Sequence, residues 1–229
     1  VNMEMLNSAD FWIGLVKIVW INIILSGDNA VVIALAARSL PPHQQKKAVF
    51  WGSGAAVVLR ILLTVVAAKL LELSFLQVIG GVLLLWIGYQ LLSGGEDEEG
   101  EAKGTGSMVA AIRTILIADL VMSLDNVLGV AAAAKGNTLL LVLGLGISIP
   151  LVIFGANLLL RLMERFPIIV TLGAALLGYV GGEMAVNDLA VVGWIDSHFY
   201  ALHQIVPIGC AAFIVVVGKL MAARRQSAA

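Results

Sequence analysis

Apolar positions along the chain come in long blocks, separated by short clusters of charged and turn-forming residues. Seven such blocks lie near residues 11–37, 47–70, 74–92, 108–134, 138–160, 167–186 and 204–222. A helix needs roughly 20 apolar residues to cross the hydrocarbon core of a bilayer, and the blocks are of that order. The pattern predicts an all-α polytopic membrane protein, with seven transmembrane helices in a single transmembrane domain spanning 1–229. Pro41-Pro42 closes the first block and Pro167 opens the sixth, because proline interrupts a helix interior but suits its first turn. The most hydrophilic stretch, 93–107, holds Glu96, Asp97, Glu98, Glu99 and Glu101 among several glycines and reads as a flexible linker.

Composition sharpens this picture. The chain is 60% hydrophobic and 13% charged, against ~45–50% and ~25% for a soluble domain. A formal net charge of −1 leaves no basic stripe for phosphates, so nucleic acid is not an expected partner. Cys210 is the one cysteine, sits in an apolar run, and reads as a small core residue. No positive region precedes the first block, so that block is expected to stay rather than be cleaved as a signal peptide. Lysine and arginine set orientation. Arg38, Lys46, Lys47, Lys103, Arg113, Arg161, Arg165, Lys219, Arg224 and Arg225 fall on one side, and only Lys69 and Lys135 on the other. The N-terminus is therefore expected outside and the C-terminus in the cytoplasm.

The chain also repeats itself. Ser26-Gly27-Asp28-Asn29 in the first block matches Ser123-Leu124-Asp125-Asn126 in the fourth, and each is followed by an alanine-rich run. In the same register Asn22 falls opposite Asp119, and Gly80 to Gln90 can be laid on Gly173 to Glu183. Three helices per half put the second half into the membrane from the opposite side. The expectation is two inverted repeats, 11–92 and 108–186, with the seventh helix outside them. Secondary transporters are often built this way, with the site at the repeat interface near mid-membrane.

The candidate chemistry lies in those repeats. A carboxylate at mid-bilayer costs ~2.5–3.5 kcal/mol on insertion scales, so Asp28, Asp119 and Asp125 need cations, partners or protons. Asn22, Ser26 and Asn29 share helical spacing with Asp119, Ser123 and Asn126, giving each half a polar stripe. In an unbroken helix Asp28 and Asp125 flank these stripes, about 100° away. Gly27 permits local unwinding, which would offer carbonyl oxygens. Such an oxygen-rich set suits Mn²⁺, Mg²⁺ or Ca²⁺, and the absence of histidine and cysteine weighs against zinc and copper. Met122 is a softer ligand candidate, although a core role is its simpler reading. Arg60 lies mid-way along the second span, where it can neutralise one aspartate of a site, or pair with Asp28 for packing alone. Glu183, near the end of the sixth span, is open between ligand, proton carrier and interfacial residue. His43, His198 and His203 fall in or beside connectors, and Trp12, Trp51 and Trp194 fit interfacial anchors.

The segments from Asn22 to Ala37 and from Asp119 to Ala134, with Gly182-Glu183-Met184, resemble the TerC family of integral membrane proteins. The length and the short acidic middle loop resemble its YjbE-type branch. This resemblance implies a place among LysE-like exporters, with links to manganese efflux. Carried over residue by residue, it points to Asp28, Asn29, Asp119, Asp125 and Asn126 as metal-binding, with Asn22, Ser26, Ser123, Arg60 and Glu183 as a secondary polar set. The function expected is export of a divalent metal ion from a bacterial inner membrane by alternating access. Mn²⁺ is the leading cargo and Ca²⁺ its rival. Proton coupling is open, no cofactor is called for, and a homo-oligomer is compatible. No enzymatic activity is expected. The rivals are a non-transporting stress-response scaffold or metal sensor and, further off, an intramembrane aspartyl protease using two buried aspartates.

Overall fold

The computed structural model describes residues 9–25, 27–70, 73–93, 107–134 and 137–228, with side chains except at 9, 10, 21–25, 65–70, 125, 127–129, 131–133, 138 and 225–228. The described residues form nine helices and no strand. These are α1 (Ala9–Leu25), α2 (Gly27–Ala37), α3 (Pro42–Leu70), α4 (Leu76–Ser93), α5 (Met108–Ala134), α6 (Thr138–Arg165), α7 (Ile168–Asn187), α8 (Val192–His198) and α9 (Leu202–Ala228). Among the described residues, five helices are long and apolar enough to cross a membrane: α3, α4, α6, α7 and α9. The first apolar block is two helices flanking residue 26, which lies outside the described residues, as do the linker at 94–106 and Lys135.

Helix ends follow local chemistry. Helix α3 starts at Pro42, ahead of the expected boundary at 47. Proline presets the first helical φ, and the polar residues His43 to Lys47 are compatible with helix although they break the apolar pattern. The side chain of Asn137 accepts a hydrogen bond from the Leu140 N–H at 3.2 Å and caps α6. Pro150 and Pro207 lie inside α6 and α9, where neighbouring helices can shelter the carbonyl that each ring releases. Helix α8 is short and was not legible as an apolar block.

The helices sort into two packed groups. In the first, α7 lies against both α4 and α9, and α9 also touches α4. Glycines allow this closeness: a Cβ on Gly181 would stand 2.7 Å from the Gly81 carbonyl oxygen, and one on Gly178 would stand 2.8 Å from that of Cys210. Cys210 is half-buried in this contact. In the second group α3 packs on α5, and α6 packs on α1 and α2. Gly52 of α3 receives Ile115, whose Cδ1 would lie 2.8 Å from an added Cβ, and Gly144 of α6 receives Ile18 in the same way. Trp12, Trp51 and Trp194 are exposed on the outer surface, as anchors at a membrane boundary would be. His43 and His198 are exposed and His203 is half-buried.

Candidate ion site

Among the described residues, the polar side chains buried in the second group are Asn29, Ser53, Arg60, Asp119, Ser123 and Ser148. Arg60 of α3 is 4% exposed, and Asp119 and Ser123 of α5 are 5% and 1% exposed. Asp119 and Ser123 are one helical turn apart, so they face α3 together. The Arg60 Nη2 donates to Asp119 Oδ1 at 2.5 Å, and its Nε donates to Ser123 Oγ at 2.9 Å. The Ser123 hydroxyl in turn donates to Asp119 Oδ2 at 3.3 Å, so both carboxylate oxygens are engaged. A charge taken out of water is tolerable only with such a partner, and removing one member of a buried pair typically costs ~3–5 kcal/mol.

Asp28 approaches from α2. It lies in the first turn of that helix, where the positive end of the helix dipole favours a carboxylate. Its Oδ1 accepts the Asn29 N–H at 2.8 Å, and it lies within electrostatic range of both Arg60 and Asp119. Asp28 is half-buried and Asn29 is 2% exposed. The structure thus brings Asp28, Arg60, Asp119 and Ser123 into one polar neighbourhood and places the arginine's ion pair on Asp119, not on Asp28. Asn126 is half-buried further along α5. The side chains of Asn22 and Asp125, and the whole of Ser26, lie outside the described residues. Among the described residues no three His, Cys, Asp or Glu side chains stand close enough to hold a metal. Glu183 is exposed on α7, and Met122 is 4% exposed within the apolar core.

One polar residue was missed in the sequence. Asp188, 1% exposed, directly follows α7. Its Oδ1 accepts the Phe75 N–H at 2.9 Å and the Ala190 N–H at 2.8 Å, and its Oδ2 accepts those of Gln77 and Val78 at 2.9 and 3.2 Å. Burial disfavours the charged form, but these four amides outweigh it and hold the carboxyl below the usual carboxylate range. The signal was available: a lone carboxylate at a helix C-terminus opposes the local dipole, so its partner must lie elsewhere. Here the partner is the amino end of α4, which locks the adjacent ends of α4 and α7 together. Phe75, at φ 66°, turns the chain into that contact.

The profile of the integral membrane protein TerC family matches residues 7–227. The chain belongs to that family. It is 44% identical over 207 residues to the uncharacterized membrane protein YjbE of Bacillus subtilis, covering 90% of this chain and 94% of that one. The uncharacterized membrane protein YkoY of the same organism is 28% identical, over 89% of this chain and 70% of its own length. The UPF0053 inner membrane protein YoaE of Escherichia coli K12 is 27% identical over 78% of this chain, which spans only 38% of that larger protein. No solved structure is significantly similar to the chain. Membership makes this an integral, multi-pass membrane protein with bacterial relatives, which fits the apolar outer surface.

Proposed function

We propose that this TerC-family protein exports a divalent metal ion, with Mn²⁺ the leading cargo and Ca²⁺ its rival, across a bacterial inner membrane. The observation that carries the reading is the buried Arg60–Asp119–Ser123 network, with Asp28 in electrostatic range of it, inside a largely apolar bundle. Intramembrane ionisable groups are expensive and mark ion paths by default. In this reading the cargo sits between the Asp28-Asn29 and Asp125-Asn126 motifs, with the Arg60–Asp119 pair beside it, and no chemical reaction is catalysed. The place among LysE-like exporters that the TerC resemblance implies points the same way.

The packing supports two inverted three-helix repeats, with α1–α2 counted as one span and α5 as another to make seven. Ile18 and Ile115, each ten residues before its Asp28 or Asp125, fill Gly144 and Gly52 of the opposite repeat. With Gly80 to Gln90 laid on Gly173 to Glu183, the approach of Gly81 to Gly181 exchanges with that of Gly88 to the Ala174 carbonyl, 3.4 Å from an added Cβ. Because the repeats interlock in this way, the moving bodies are not the two sequence halves. The thinner seam runs between the group α4, α7, α9 and the group α1, α2, α3, α5, α6. Alternating access then opens the site to one side at a time along that seam, with the N-terminus outside and the C-terminus in the cytoplasm.

Export of a divalent ion against 100 mV, negative inside, costs roughly 4.6 kcal/mol. Proton antiport through the same carboxylates can supply that work. The test in cells is manganese content by mass spectrometry. Production of the wild-type chain lowers it, and Asp28→Ala or Asp125→Ala at normal membrane levels restores it. Full activity in both variants sinks the site assignment. A scaffold or metal sensor is the alternative, because a satisfied ion pair also serves packing alone. A metal-independent partner complex without flux would favour it.

A further inference from the structure

We propose that Arg60 is a built-in counter-ion that withdraws Asp119 from the cargo site and sets that site's charge to match one divalent cation. This rests on the transport reading above. The ion pair engages both oxygens of Asp119: one takes the guanidinium, the other the Ser123 hydroxyl, and that hydroxyl is itself held by the guanidinium Nε. A cation ligated by Asp119 would have to break a network whose ionised members are both nearly inaccessible.

The chain contains its own control. Gly52-x-Gly54 with Leu59-x-Ile61 in α3 repeats as Gly144-x-Gly146 with Leu151-x-Ile153 in α6, in the register fixed by the Ile115 and Ile18 contacts. Arg60 then falls opposite Val152. Asp119 falls opposite Asn22. The other repeat has lost the cation and the anion together, and it keeps its Asp-Asn motif at Asp28-Asn29. A charged pair in one copy and a neutral pair in the other are what a counter-ion role requires, whereas a ligand role for Asp119 gives no reason for Arg60. The charge balance agrees. Asp28, Asp119 and Asp125 carry three formal negative charges, Arg60 cancels one, and a divalent cation cancels the remaining two.

The decisive variants are made in the full-length chain reconstituted in liposomes. Arg60→Val with Asp119→Asn copies the pattern of Val152 and Asn22, and Arg60→Asp with Asp119→Arg keeps the pair but reverses it. Mn²⁺ flux and thermal unfolding are read for each, beside the single variants. The double neutral variant is expected to keep flux within about threefold of wild type, since the pair's coupling is removed together with its members. Arg60→Val alone adds a net negative charge to the site. Its KM for Mn²⁺ and its turnover should then both fall, by about tenfold, because tighter ground-state binding slows release. A purely structural pair would not split KM and kcat in that way. Either double variant, folded but without flux, overturns the proposal by making the Asp119 carboxylate itself essential. Failure of both doubles to fold overturns it too, because the pair would then not be replaceable as it is in the other repeat. Absence of Mn²⁺ flux in the wild type is a separate outcome, which removes the transport reading and the counter-ion role that rests on it.

Discussion

Replacing Asp188 by alanine removes an acceptor for four backbone N–H groups, those of Phe75, Gln77, Val78 and Ala190. Two of these, Gln77 and Val78, belong to the first turn of α4, whose amides have no partner within the helix, and Phe75 directly precedes it. Loss of a capping side chain costs about 0.5–2 kcal/mol, and hydrogen bonds to a charged group contribute about 1.5–3 kcal/mol. The side chain is 1% exposed, so water cannot simply take its place. We expect a loss of about 2–3 kcal/mol, which for a chain of this size lowers the melting temperature by roughly 4–12 °C. Asp188→Asn should fare little better. Its oxygen can serve Phe75 and Ala190, but its NH₂ would then face the N–H groups of Gln77 and Val78. Because the folded pKa is depressed, the stabilisation is full above the unfolded value of 3.8 and is lost as pH falls through the folded one. Wild type and Asp188→Ala should therefore differ at neutral pH and converge as pH falls through the depressed folded value, below the ordinary carboxylate range. The assay is thermal unfolding in detergent, followed by tryptophan fluorescence at several pH values. A melting temperature within about 1 °C of wild type at neutral pH would refute the reasoning.

Two further outcomes follow from the packing. Gly81→Leu should destabilise by at least about 2 kcal/mol in the same melting assay, because the added side chain meets the Gly181 backbone and not a movable side chain. In a Cys210→Ser background, a disulfide between Gly80→Cys and Val121→Cys, whose side chains meet across the seam, should stop Mn²⁺ flux until reduced. One between Gly52→Cys and Ile115→Cys, inside one packed group, should leave flux running; arrest by both would mean that the repeats themselves move apart, since each crosslink joins one repeat to the other.

Much of the architecture was legible because lipid imposes a simple code. Apolar blocks marked α3, α4, α6, α7 and α9, Pro41-Pro42 marked where the first block ends, and Pro167 marked where α7 begins. The start of α3 was read late, since a helix that emerges from lipid turns polar without ending. Asp188 escaped because its partners are backbone amides distant in sequence, which no side-chain motif betrays. The presence of Arg60 beside an aspartate was legible from burial cost alone, but the choice of Asp119 over Asp28 was not. That choice depends on α3 packing against α5, and the interlocking of the repeats becomes visible only when Gly52 and Gly144 are seen beneath Ile115 and Ile18.

The most direct test of the central claim is Mn²⁺ flux in proteoliposomes, comparing wild type with Asp125→Ala under imposed pH gradients. Flux that needs Asp125 and follows the pH gradient is the result expected for a proton-coupled exporter. Correctly folded wild-type protein that moves no Mn²⁺ in either orientation, at any gradient, would contradict it.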